Sequence, residues 1–101
     1  MRAAVHDRFW STGGGGERFA AGIAQALAVH HQVELFSVEP LDLAALSERL
    51  SVDLRGVSVR MIGDDLDAVQ RESADLDLFV NASYLSSERS SAARSIYVVH
   101  F

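Results

Sequence analysis

Four consecutive glycines, Gly13 to Gly16, stand directly before the most strongly periodic helical stretch of this 101-residue chain. Glycine loses more freedom on folding than any other residue, so an ordered tract implies a tight bend or a backbone brought close to something. At a helix start, free N–H groups and the positive end of the dipole suit an anion, and no Cβ holds the ligand away. Gly13, Gly14, Gly15 and Gly16 are therefore candidate contacts to a phosphate or to another polar ligand group. Arg18 is a candidate cation beside them, and Glu17 is either a further contact or a stabiliser of the first helical turn. Two common phosphate loops are excluded. A P-loop needs Lys followed by Ser or Thr, and this chain has no Lys. A G-x-G-x-x-G fingerprint fails because the sixth position is Arg18 when counted from Gly13 and Phe19 when counted from Gly14. The alternative is a flexible loop with no ligand.

Other polar and aromatic groups stand at the ends of apolar runs. His6 closes the run from Ala3 and His100 lies near the end of the run from Ile96. An imidazole at such a place can donate a hydrogen bond or titrate near neutral pH. Phe9 and Trp10 are either an apolar platform for a ligand or ordinary core. Asn81, Ser83 and Tyr84 follow another apolar run and are candidates to bind ligand hydroxyls, with a turn-forming Asn as the alternative. Asp64, Asp65 and Asp67 follow Gly63 and suit a turn and a helix cap better than a metal. His30 and His31 suit the C-terminal end of a helix dipole. No Ser-His-Asp arrangement is apparent and no metal is expected.

The elements that must position these groups follow from hydrophobic periodicity. Ala3 to His6 is a short strand. From Gly16 to His30, Phe19, Ala20, Ile23, Ala24, Leu27 and Ala28 form a helical face, interrupted by Gly22, which is costly unless it permits close packing. Gln32 to Val38 has strand composition. After Pro40, Asp42 is placed to cap a helix with Leu43, Leu46 and Leu50 on one face. Val57 to Ile62, Leu76 to Asn81 and Ile96 to Phe101 are further strands, with a short helix near Leu66 to Glu72. Ser83 to Ser95 holds six serines and suits a loop or a polar helix. Strands alternating with helices imply an α/β fold with a parallel sheet and right-handed crossovers. About five strands in the order 3-2-1-4-5 are expected, part of a doubly wound, three-layer Rossmann-like sheet. Ligands then bind at the carboxyl ends of the strands, where the strand order reverses, and the glycine tract leaves the first strand at that place.

Composition narrows the function classes. The nine basic residues are all Arg and face fourteen acidic ones, for a net charge of −5. That balance opposes nucleic-acid binding, which depends on neutralising phosphates, and allows at most peripheral membrane contact. Hydrophobic residues make up 49% of the chain, so it should fold. There is no Cys, which fits a reducing compartment. No segment has the form of a signal peptide or a membrane span, so a soluble cytoplasmic protein is expected. The apolar run Tyr97 to Phe101 resembles a buried strand, and the chain is expected to be a piece of a longer protein.

The stretch "GGGGERFAAGIAQALAVHHQVELFSVEP" resembles the Gly-Gly-x-Glu-Arg opening of family 4 glycosyltransferases, enzymes of the GT-B fold. "LDLFVNASYLSS" and "SIYVVHF" resemble the family's fourth strand and the strand whose end carries an active-site His. The resemblance covers essentially the whole chain. It implies residues 1–101 of an N-terminal, acceptor-side domain, with the donor-binding C-terminal domain absent. It further implies sugar transfer from a nucleotide-sugar donor to a sugar or lipid-linked acceptor, with retention of configuration and no bound metal. His100 then corresponds to the active-site His. The chain alone is expected to be inactive and to self-associate. The alternative is a non-catalytic α/β module of flavodoxin-like or nucleotide-binding regulatory type. A receiver version of that alternative lacks the Lys it requires.

Overall fold

The computed structural model describes residues 1–12, 14–83 and 88–98. Its sheet has five strands, β1 (Arg2–His6), β2 (Gln32–Ser37), β3 (Val57–Met61), β4 (Leu78–Asn81) and β5 (Arg94–Tyr97). They are all parallel, in the order β3-β2-β1-β4-β5. Three helices flank them, α1 (Gly15–Ala28), α2 (Leu43–Leu50) and α3 (Ala68–Glu72). This is the doubly wound α/β arrangement that the alternating periodicity predicts.

Register explains the two faces. Ala3 is level with Val33 and Leu78, and Val5 with Leu35 and Val80. These side chains share one face and pack with Ala20, Ala21 and Ala24 of α1 and Leu46 and Leu50 of α2. On the opposite face Ala4, Phe36 and Phe79 pack with Ile62, Leu76 and with Ala68 and Val69 of α3. Alternation along each strand sends successive residues to opposite layers, so the central strands β2, β1 and β4 are buried on both sides. Because α3 is short, side chains of the sheet itself cover part of that face. Arg60 lies over the Phe36 ring at 5.3 Å and pairs with Glu34 at 2.6 Å.

Helix α2 starts where expected, with Asp42 Oδ1 accepting from Ala45 N at 3.2 Å. It ends on Ser51 in the left-handed region at φ 56°, and Gly56 at φ 81° turns the chain into β3. Helix α1 buries Ala20, Ala21 and Ala24 and packs Ile23, Leu27 and Ala28 against the core, so the expected face holds except at Phe19, which is 56% exposed. The methyl side chains let α1 lie close to the sheet, and that rotation turns Phe19 outward. Gly22 is not a close-packing position, since a Cβ there would meet nothing within 4 Å. The last strand also departs from expectation. It spans Arg94–Tyr97, pairs with β4 alone among the described strands, and every one of its residues is exposed, so it is not a buried strand. The serine-rich segment from Glu88 to Ala93 contains neither helix nor strand.

Candidate functional site

The carboxyl edge of β1 lies between β2 and β4, where the strand order reverses. His6, the last residue of β1, is level with Phe36 on one side and Asn81 on the other. Its ring is fully buried and stacks on Phe79, with centroids 6.0 Å apart. His6 Nε2 is 3.0 Å from Glu88 Oε1. A carboxylate only accepts, so Nε2 carries the hydrogen and Nδ1 is the lone-pair nitrogen. Nδ1 is buried without a hydrogen-bond partner. Burial pushes the His6 pKa down, and this outweighs the upward pull of the Glu88 hydrogen bond and charge. The imidazole is therefore neutral near pH 7.

Arg8 extends this contact into a chain of polar groups. Its Nη1 is 3.5 Å from Glu88 Oε1, and its Nη2 hydrogen-bonds to Asp64 Oδ1. Those carboxylates raise the Arg8 pKa despite partial burial of the guanidinium. The backbone around it is fastened as well. Arg8 N donates to Ser83 Oγ at 3.1 Å, Ser83 N to Asn81 Oδ1 at 3.1 Å, and Phe9 N to Asp7 Oδ1 at 2.7 Å. Asn81 and Ser83 thus tie the ends of β1 and β4 together, and both side chains are buried. The Asn81 contact is the turn-forming one.

Trp10 belongs to the core. It is fully buried and donates from Nε1 to the Phe36 carbonyl at 2.9 Å, so it offers no platform to a ligand. Phe9 remains 43% exposed. After the short turn Trp10–Thr12 the chain reaches Gly14, the N-cap of α1. Ser11 N donates to Glu39 Oε1 at 3.0 Å, just beyond β2, which holds this loop at the carboxyl edge. The Glu17 carboxylate turns back onto the helix start, accepting from Gly14 N at 3.0 Å and from the Thr12 hydroxyl. That contact is half of a capping box and is the helix-stabilising role for Glu17. Gly15, Gly16 and Arg18 form the first turn with Glu17, and both Gly15 and Arg18 are exposed. Gly13, Tyr84 and His100 lie outside the described residues.

Asp64 and Asp65 are turn residues that pair with Arg8 and Arg71. Asp67 is the N-cap of α3 without a side-chain cap bond. Among the described residues, no group of three or more His, Asp or Glu is placed to hold a metal ion, and no helix is long and apolar enough to cross a membrane. Sequence reasoning missed Glu88 and Arg8. Glu88 is 82 positions from His6 and sits in a serine-rich segment with no periodic signal that would point to it. No family model, no curated protein and no solved structure matches the chain.

Proposed function

We propose that this chain is the acceptor-side part of a sugar transferase that uses a nucleotide-sugar donor. The observation that carries the reading is the glycine-rich stretch Gly14–Arg18 at the start of α1, beside the reversal point of a parallel sheet. Ligands of open α/β sheets bind at such points, and free N–H groups of a helix start suit a diphosphate. The likeness of the glycine stretch and of "SIYVVHF" to family 4 glycosyltransferases supports a sugar nucleotide over other phosphates. In this reading Gly15, Gly16 and Arg18 meet the donor diphosphate or the acceptor. His100 hydrogen-bonds to the transferred sugar or its phosphate, and Phe9 borders the acceptor. A second domain closes over the carboxyl edge and excludes water.

The second reading is a non-catalytic nucleotide-binding α/β module. It is favoured by the use of Trp10, Asn81, Ser83 and Glu17 in internal contacts rather than toward solvent. Ligand-detected NMR of the full-length gene product with a panel of nucleotide sugars, followed by transfer assays with a labelled donor, separates the two. Binding with turnover supports the transferase. Binding of free nucleotide without any transfer supports the module. A reading frame with no second α/β domain overturns the transferase reading.

A further inference from the structure

A guanidinium and an imidazole converge on one oxygen at the carboxyl end of β1. Glu88 Oε1 is 3.0 Å from His6 Nε2 and 3.5 Å from Arg8 Nη1. The three side chains are largely withdrawn from solvent, at 0%, 31% and 13% exposure for His6, Arg8 and Glu88. The two donors belong to the scaffold, since His6 ends β1 and Arg8 is tied by its backbone N–H to Ser83. The acceptor comes from elsewhere, because Glu88 lies outside every helix and strand. A carboxylate from an irregular segment therefore fills a donor pair built on the sheet, at the point where such sheets take ligands.

We propose that His6 and Arg8 form an oxyanion subsite, that the Glu88 carboxylate occupies it from within the chain, and that a ligand's phosphate or carboxylate group takes its place. The charge balance permits the exchange, since one anion replaces another. Asp64 pairs with Arg8 and holds the guanidinium in position. The neutral imidazole donates through Nε2–H to either occupant. Glu88 is then a built-in competitor, and the apparent affinity for a ligand is the intrinsic affinity multiplied by the fraction of time the subsite is vacant. This does not rest on the sugar-transfer reading, because it concerns any ligand that carries such a group.

The purified chain is titrated with inorganic phosphate, and separately with acetate, at constant ionic strength. The His6 ring C–H signals are followed by NMR. Glu88→Ala vacates the subsite and should bind at least one of the anions about tenfold more tightly than the unaltered chain, about 1.4 kcal/mol. The His6 signals should move in step with saturation. The anion with the larger gain names the ligand group. Adding Arg8→Gln should abolish the gain. Glu88→Gln keeps the shape without the charge and should give an intermediate gain, which keeps the test decisive where Glu88→Ala disturbs the fold. Equal binding by the unaltered chain and both Glu88 variants overturns the proposal. So does a gain that survives Arg8→Gln, or saturation that leaves the His6 signals in place.

Discussion

The Trp10 indole N–H donates to the Phe36 carbonyl over 2.9 Å, joining the turn after β1 to the neighbouring strand β2, 26 residues away. The ring is wholly buried, so the contact combines a large apolar area with a satisfied polar tip. Trp10→Ala should cost about 3–5 kcal/mol, the range for removing a buried large aromatic. Urea unfolding followed by circular dichroism measures it. A loss below about 1 kcal/mol would place Trp10 outside the cooperative core.

Arg60 holds a half-buried part of the sheet face together. It grips Glu34 with two nitrogens, at 2.6 and 3.2 Å, donates to the Glu72 carbonyl at 2.7 Å, and covers Phe36. Arg60→Ala should cost about 1.5–3 kcal/mol, as for hydrogen bonds to charged groups that are partly shielded. Arg60→Met keeps an apolar stem over Phe36 and should cost less. Denaturation with and without added salt separates the two contributions, since only the charged one is screened.

The buried imidazole of His6 makes stability depend on pH. Burial holds its folded pKa below the ordinary value. Below about 6.5 the unfolded chain takes up a proton that the native chain refuses, so this contribution is present above that pH and declines as the pH falls. The slope should approach but not exceed about 1.4 kcal/mol per pH unit. His6→Gln should flatten it. A second decline is expected below about pH 4 as Asp75, held low chiefly by its hydrogen bond from Arg60, and Asp65, held low by that from Arg71, become protonated. Urea midpoints measured from about pH 2 to 8 test both windows, and identical slopes in His6→Gln and the unaltered chain between about pH 5 and 8 would refute the first.

Gly15 separates folding from binding. A Cβ there would meet nothing within 4 Å, and its φ is not in the left-handed region. Gly15→Ala should therefore leave the fold intact and stabilise it by up to about 1 kcal/mol, the usual difference between the two residues in a helix. If the protein is the proposed transferase and the backbone at Gly15 approaches its ligand, Gly15→Val should lower kcat/KM of the full-length protein on the order of 100-fold through misplacement alone. Thermal melting and steady-state turnover measure the two effects. Undiminished turnover in Gly15→Val and Gly16→Val would reduce the tract to a spacer.

Much of this architecture is legible in the order of apolar and polar residues. The alternation of strand-like and helix-like periods is enough for five parallel strands in the order 3-2-1-4-5, because crossovers in such sheets have one hand. Asp42 as a cap and Asp64–Asp65 as a turn are equally local, since their partners lie within a few residues or follow from turn chemistry. The position of the glycine tract at the carboxyl edge follows from the same topology.

Contacts between distant segments are a different matter. The outward turn of Phe19 depends on how closely an alanine face approaches the sheet, and helical spacing alone allows several rotations. The exposure of β5 depends on what lies beside it, because an apolar strand reads the same whether it is central or at an edge. Trp10 is core because Phe36 offers a carbonyl to its indole. Glu88 meets His6 only after the sheet has closed the 82 positions between them. Local sequence dictates backbone conformation through sterics and periodicity, whereas a buried polar contact such as His6–Glu88 is selected by desolvation, a property of the assembled interior.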